Sequence, residues 1–243
     1  MKIVGKMIAR RNDPYNCPIP VIVFFGDSVT QGCFEIFETN GDDIGVVYDP
    51  VNAYHAQFSR MLAHLIPNAP VSIVNAGISG DSTEGALARI DRDVLAHNPD
   101  LTVVCFGLND SVGDGRDGAD SYADRLETIF RKLVESGSEV IYLTPNMMCT
   151  EVSSKLKHTP FMNLASEIAR IQNDGVLTLY LEKGKQMARA CGVRICDVYA
   201  KWLRLSEMGV DTTALLSNSI NHPTREMNQL FAWSLLETIF AGE

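Results

Sequence analysis

The sequence predicts an α/β fold in which a five-stranded parallel sheet lies between two layers of helices. Two observations predict it. Short, almost uniformly apolar segments are typical of strands buried on both faces, and segments with helical periodicity lie between them. Strands that alternate with helices imply right-handed crossovers and therefore three layers. The predicted strands are Val21–Phe25, Val71–Asn75, Leu101–Phe106, Glu139–Thr144 and Val193–Val198.

The predicted helices carry apolar residues three, four and seven positions apart, so that these residues share one helix face. The clearest are Tyr54–Leu65 and Tyr122–Leu133, and shorter stripes cover residues 87–94 and 177–188. A last helix is predicted over residues 227–239, with Pro223 in its first turn, where a missing N–H is tolerated.

The length of 243 residues predicts a single domain over 1–243, with an N-terminal extension over 1–18. Two segments, 33–52 and 145–174, are longer than ordinary loops and follow the first and fourth predicted strands. Ligands of open parallel sheets bind at the carboxyl ends of the strands. Both segments are therefore expected to be insertions that flank a cleft at this edge.

Composition excludes several classes of protein. The chain is 46% hydrophobic and 21% charged, as ordinary globular proteins are. A net charge of −9 without a basic cluster makes nucleic acid an unexpected partner. No apolar run approaches the ~20 residues of a membrane span. Residues 1–17 lack the apolar core of a signal peptide, so a cytoplasmic location is expected. The sequence does not indicate an oligomeric state.

The six cysteines are scattered, form no CxxC pair and show no zinc-ligand spacing. In a cytosolic protein they are expected to be reduced thiols that pack as small hydrophobic groups. We therefore expect neither a metal nor a cofactor.

The tripeptide Gly26-Asp27-Ser28 directly follows the first predicted strand. A serine on such a turn is a nucleophile if a base reaches it. A helix-capping serine after a glycine turn is the common alternative.

A second copy, Gly80-Asp81-Ser82, follows the second predicted strand. Asp81 with Glu84 three residues later resembles a capping box, which predicts that Ser82 lies at a helix start. Gly80 instead allows its backbone N–H to approach a ligand closely.

Two further polar residues are candidates for the same cleft. Asn109 comes after the third strand, where its amide can donate into the cleft or simply form a turn. His222 precedes the last helix and is the predicted general base. His55, at the start of the first long helix, is the competing candidate.

Together these blocks resemble the SGNH, or GDSL-type, hydrolases over about residues 20–240. The matching stretches are residues 23–30, 74–81, 106–110 and 222–223, in that order. The resemblance implies serine-dependent ester hydrolysis on a flavodoxin-like fold. It implies that Ser28 is the nucleophile, that His222 is the base, and that Ser28 N–H, Gly80 N–H and the Asn109 amide form the oxyanion hole. Asp27 and Asp110 are assigned to holding loops.

One position departs from the family pattern. Ser219 stands three residues before His222, where the family usually has the Asp that orients the imidazole. Either a Ser–His dyad operates, or an acid comes from elsewhere, or the site is weakened. The expected local partners of Nδ1 are the Ser219 hydroxyl and a backbone carbonyl between Asn218 and Ile220.

The first insertion contains five acidic residues and no Lys or Arg, which disfavours anionic substrates if it lines the cleft. Asp27, Glu35 and Tyr54 are candidate pocket residues. The leading expectation is a short acyl or acetyl ester of a small alcohol or carbohydrate. The alternatives are a lysophospholipase or thioesterase, a non-catalytic ligand-binding protein, and, less favoured, a flavodoxin-type FMN protein.

Overall fold

The computed structural model describes residues 1–39 and 44–241. Within them the strands are β1 Val21–Gly26, β2 Cys33–Glu38, β3 Ile44–Tyr48, β4 Ser72–Gly77, β5 Leu101–Cys105, β6 Glu139–Leu143 and β7 Arg194–Cys196. The α-helices are α1 Lys2–Asn12, α2 Ser28–Gln31, α3 Tyr54–Leu65, α4 Thr83–Asp93, α5 Leu108–Gly113, α6 Ala119–Glu135, α7 Thr159–Asn173, α8 Val176–Ala190, α9 Val198–Glu207 and α10 Arg225–Phe240.

The central sheet has five parallel strands in the order β4-β1-β5-β6-β7, which confirms the predicted fold class. Residues 22–25 of β1 and 103–104 of β5 are fully buried, as expected for strands covered on both faces. The last strand is shorter than predicted. It ends at Cys196 because the Asp197 carboxylate caps α9 by accepting the Ala200 N–H.

Helices pack on both sides of this sheet. Helix α3 packs against α10, and α6 packs against α4 and α8. The apolar stripes predicted from periodicity lie on the buried faces of these helices, except for Leu65 at the end of α3, which is 54% exposed. Pro223 lies before α10 rather than within its first turn, because Thr224 is the N-cap and accepts the Met227 N–H.

Among the described elements, five helices and one hairpin were not predicted: α1, α2, α5, α7, α9 and the antiparallel hairpin β2–β3. The hairpin lies in the first expected insertion and α7 in the second. Helix α1 lies at the amino edge of the sheet, where the Glu139 carboxylate accepts the N–H groups of Lys2 and Ile3. Its apolar residues Ile3 and Met7 are buried.

All six cysteines lie in the described part of the chain, and each is a free thiol. In that part no three His, Cys, Asp or Glu side chains are grouped as a metal ion would require. None of its helices is both long and apolar enough to cross a membrane.

The strand order fixes where a ligand can bind. The chain runs from β1 to β4 on one side and then crosses to β5 on the other, so β1 lies between them. Such a reversal opens a crevice at the carboxyl edge of the sheet. The loops that carry Ser28, Gly80 and Asn109 follow these three adjacent strands and therefore meet at that crevice.

Candidate active site

The first Gly-Asp-Ser tripeptide forms a tight turn between β1 and α2. The Asp27 carboxylate accepts the Val29 N–H at 3.0 Å and so caps the helix, which makes Ser28 its first residue. A Cβ at Gly26 would lie 2.1 Å from Thr30 Oγ1 and 2.6 Å from the Cys105 carbonyl oxygen, so only glycine fits there. Thr30 is held in turn by the Tyr54 hydroxyl at 2.8 Å.

Ser28 and His222 lie in direct contact. The distance from Ser28 Oγ to His222 Nε2 is 3.0 Å, and that from His222 Nδ1 to the Phe34 carbonyl oxygen is 2.9 Å. A carbonyl oxygen only accepts, so Nδ1 carries the proton of the neutral ring. Nε2 is then free to accept the Ser28 proton, which is the arrangement that a general base requires.

The orienting partner of His222 differs from the expected one. It is a backbone carbonyl, but that of Phe34 on β2, not one between Asn218 and Ile220. Ser219 instead forms a turn: its φ is +57° and its N–H donates to the Leu216 carbonyl. The expectation that the Ser219 hydroxyl orients His222 is therefore wrong, because Nδ1 contacts the Phe34 carbonyl.

The loop before His222 is ordered by Asn218. Its side-chain oxygen accepts the N–H groups of Ile220, Asn221 and His222 at 3.0, 2.9 and 3.0 Å. This Asx-type turn fixes the backbone from which the imidazole projects. The sequence reasoning missed Asn218, although Asn is a usual residue of such turns.

The electrostatic environment of His222 contains no charged partner among the residues in 1–39 and 44–241. Burial lowers its pKa, and the hydrogen bond to the Phe34 carbonyl partly offsets this. The neutral, base-competent form therefore persists below the usual titration range of histidine.

Gly80 and Asn109 supply donors at the same edge of the sheet. Gly80 has a φ of +77°, which favours glycine, and no described atom lies within 4 Å of the position of a Cβ. Asn109 Nδ2 donates one proton to the Asp81 carbonyl at 2.8 Å. Its second amide proton remains for a ligand. Ser28, as first residue of α2, has an N–H without an intrahelical acceptor.

The loop that carries Gly80 is held by a buried arginine. Arg89 contacts the Asp81 carboxylate at 2.6 Å and also donates to the carbonyls of Ala76 and Gly26. One side chain thus ties this loop to the ends of β4 and β1.

The expected capping box of Asp81 and Glu84 is not what starts α4. Ser82 is the N-cap but makes no side-chain capping bond. The Asp110 carboxylate accepts the Thr83 N–H at 2.9 Å instead, so Asp110 joins the loop after β5 to α4. Burial raises the pKa of Asp110 and that of Asp27, the latter to about 7.

Two candidate pocket residues are not placed in a pocket. Tyr54 is fully buried and stacks on Phe231. Asp27 is 1% exposed and serves the turn.

Three acidic residues of the first insertion form ion pairs or contacts with basic side chains. Glu35 and Asp49 pair with Arg225, and Glu38 lies 2.7 Å from His158. Asp42 and Asp43 lie outside the described residues. The sequence reasoning missed Arg225 because the residue lies far along the chain, on α10.

His55, the competing candidate base, does not contact Ser28. Its Nε2 lies 3.0 Å from Asn75 Nδ2, and its ring packs against Phe24 and Tyr54. Burial lowers its pKa to about 4. His55 is therefore a structural residue of the α3–β4 region.

A model of the GDSL-like lipase/acylhydrolase family matches residues 24–230. The chain belongs to this family. An acetylxylan esterase from Geobacillus stearothermophilus is 30% identical over 89 residues, and an arylesterase from Vibrio mimicus is 27% identical over 100 residues. These alignments span 39% and 47% of the two relatives, so less than half of either protein is matched.

Solved structures share the fold over almost the whole chain. A crystal structure of an acetylxylan esterase from Geobacillus stearothermophilus has a TM-score of 0.67 at 21% identity, with 92% of this chain and 95% of the other covered. A lipase/acylhydrolase from Enterococcus faecalis has a TM-score of 0.66 at 22% identity, with 91% and 95% covered.

Proposed function

We propose that this protein hydrolyses carboxylic esters through an acyl-enzyme on Ser28. The observation that carries the proposal is the 3.0 Å contact between Ser28 Oγ and His222 Nε2. Family membership supports the same reaction class. Among structural relatives, a serine-to-alanine and a histidine-to-alanine variant of the acetylxylan esterase are each described as catalytic mutants.

The proposed reaction begins when Ser28 Oγ attacks the ester carbonyl and its proton passes to His222 Nε2. The N–H groups of Ser28 and Gly80 and the Asn109 amide stabilise the resulting oxyanion. Collapse breaks the bond to the alcohol, which leaves with the proton held by His222. Water then gives its proton to His222 and attacks the acyl-enzyme. The bond to Ser28 Oγ breaks, His222 returns the proton to that oxygen, and the acid is released.

The proposed substrate is a short acyl ester, such as an acetyl ester, of a small alcohol or carbohydrate. The names of the relatives, an acetylxylan esterase and an arylesterase, support a small acyl group on a ring-shaped leaving group. Phe37 and Tyr48, 49% and 54% exposed on the β2–β3 hairpin, offer aromatic faces for such a ring. Tyr48 pairs across the hairpin with Cys33, at the end of β2 that lies next to Phe34, whose carbonyl contacts His222.

The proposal is tested by labelling with a fluorophosphonate probe followed by peptide mapping. A label on Ser28 that disappears in Ser28→Ala and persists in Ser82→Ala supports the acyl-enzyme. An unlabelled but folded protein indicates a ligand-binding member of the family.

The substrate class needs a separate panel. We expect acetylated xylo-oligosaccharide and 4-nitrophenyl acetate to be hydrolysed faster than 4-nitrophenyl octanoate or acetyl-coenzyme A. Faster turnover of a long-chain or thioester substrate would favour the lysophospholipase or thioesterase alternative.

A further inference from the structure

The orientation of His222 depends on one peptide group, the Phe34–Glu35 peptide, whose carbonyl accepts the Nδ1 proton at 2.9 Å. In many active sites a carboxylate side chain fills this role. The position of a backbone carbonyl, by contrast, depends on the conformation of the strand that carries it. What holds this peptide therefore bears on the activity of the base.

Strand β2 is irregular at the residue whose carbonyl contacts His222. Cys33 pairs with Tyr48 and Ile36 pairs with Val46, so two residues of β2, Phe34 and Glu35, face one residue of β3. This is a β-bulge, which turns peptide groups out of the ladder and re-aims them. The bulge frees the Phe34 carbonyl to reach His222.

A two-stranded hairpin is marginally stable by itself, so its bulge needs an outside support. Arg225 provides contacts on both sides of the Phe34–Glu35 peptide. Its Nη1 and Nη2 donate to the Glu35 carboxylate at 2.6 and 3.2 Å, and its Cζ lies 4.3 Å from the centre of the Phe34 ring. The guanidinium therefore contacts the side chains of both residues that form the peptide.

Arg225 also stands close to the base in sequence. It is the first residue of α10 and follows His222 by three positions. The segment that carries the imidazole therefore carries the group that fixes its acceptor. A third contact, from Nε to Asp49 at 2.7 Å, ties the same guanidinium to the segment just after the hairpin.

The geometry points to Arg225 as a positioning residue: by holding Phe34 and Glu35, it keeps the Phe34 carbonyl on His222 Nδ1 in place of the missing carboxylate. This inference rests on the proposed ester hydrolysis. Hydrogen bonds from Arg225 lower the pKa of Glu35, and those from Asn52 and Arg225 lower that of Asp49. The ion pairs therefore persist across the pH range in which the imidazole titrates.

The test compares four variants in hydrolysis of 4-nitrophenyl acetate. Arg225→Met is expected to lower kcat by roughly 10- to 100-fold with little change in KM, because small misplacements of catalytic groups cost that much. Glu35→Gln is expected to lower kcat less, and Asp49→Asn least, since Asp49 does not flank the peptide. Arg204→Met, which removes an exposed arginine paired with Glu207 on α9, is the control and should match the wild type.

A second readout follows the imidazole directly. In [¹⁵N]histidine-labelled protein, His222 should show the Nδ1–H tautomer, and Arg225→Met should shift it toward a mixture of tautomers. Arg225→Lys should remain impaired, because an ammonium reproduces neither the bidentate pair nor the stacking. If Arg225→Met does not fold, Glu35→Gln carries the test.

Two results would overturn the inference. One is a lower melting temperature in Arg225→Met with kcat and tautomer unchanged, and the other is an equal loss of kcat in Glu35→Gln and Asp49→Asn. If the wild type hydrolyses no ester but the tautomer shift is present, the proposed function fails while the positioning role stands.

Discussion

The two Gly-Asp-Ser tripeptides have the same sequence and lie side by side, yet the structure uses them differently. Each follows a strand, β1 or β4, and these strands are neighbours in the sheet. After β1, the helix begins at Ser28 and Asp27 is the cap. After β4, the helix begins one residue later, at Thr83, and Ser82 is the cap.

This shift of one residue exchanges the roles of the side chains. In the first copy the serine stands on the first turn facing His222, and the aspartate is buried in the cap. In the second copy the aspartate pairs with Arg89, and Gly80 is exposed, with open space around the position of a Cβ. The role of each residue in the motif therefore depends on where the following helix begins and on which distant side chains contact the motif.

The largest expected effect comes from replacing the two serines. Ser28→Ala should abolish hydrolysis of aryl acetates, since loss of the nucleophile in serine hydrolases costs on the order of 10⁶ in kcat. Ser82→Ala should leave kcat within about two-fold, because Ser82 makes no capping bond. The check is steady-state kinetics with circular dichroism of both variants. Activity lost in Ser82→Ala and kept in Ser28→Ala would reverse the assignment.

The next effect concerns Asn109, the donor that contacts the second copy. Asn109→Ala should lower kcat by roughly 10²–10³ with a smaller effect on KM, because an oxyanion donor acts mainly in the transition state. Asn109 also holds the Asp81 carbonyl, so a melting curve accompanies the kinetics. A change confined to KM would show that Asn109 binds the ground state only.

The two aspartates should differ in what they do for stability. Asp81→Asn removes one of the two carboxylates that buried Arg89 pairs with, the other being Asp93 at 3.2 Å, and should destabilise the fold by roughly 2 kcal/mol, as the loss of hydrogen bonds to a charged group does. Asp27→Asn keeps an oxygen for the Val29 N–H and should cost less. Urea unfolding at pH 7 measures both, and equal losses would contradict the comparison.

Asp27 should also leave a signature in the pH dependence of stability. Its pKa rises from 3.8 to about 7 on burial, so between these values the folded state holds a proton that the unfolded state has lost. The free energy of unfolding should therefore fall as pH rises through this window, by at most about 1.4 kcal/mol per pH unit. Asp27→Asn should make this slope shallower but not flat, because burial raises the pKa of Asp110 as well.

Much of this arrangement follows from local sequence, and part of it does not. Uniformly apolar runs indicated all five strands of the sheet, and the order of polar residues after three of them indicated the cleft. The hairpin β2–β3 was missed because Cys33–Glu38 does not strictly alternate apolar and polar residues. Helix α7 was missed although Phe161, Ala165 and Ile168 have helical spacing.

The partner of His222 could not be found in the sequence for a different reason. Its acceptor is a backbone carbonyl, which every residue has, and it comes from the other end of the chain. No side chain marks such a role. The only local sign was Ser219, where the usual Asp is absent, and it indicated that something else orients the base without indicating what.

The smallest expected effect comes from restoring that carboxylate. Ser219 has a φ of +57°, a conformation that Asp and Asn adopt more readily than other non-glycine residues. Ser219→Asp should therefore fold, and Ser219→Asn is its uncharged control. The Nδ1 proton already has an acceptor, so kcat of Ser219→Asp should be equal to the wild type or modestly higher.

The negative charge of the new carboxylate should instead change the pH dependence of kcat/KM. A carboxylate near the ring favours imidazolium and raises its pKa, so the acid limb of kcat/KM should move up by roughly one pH unit in Ser219→Asp. It should not move in Ser219→Asn. Because the wild-type limb reports an imidazole whose pKa is lowered by burial and offset only by a neutral carbonyl, the shift would measure what the carboxylate contributes at this site. An unchanged limb in Ser219→Asp would show that residue 219 does not reach the imidazole, and that the Phe34 carbonyl excludes a carboxylate from Nδ1.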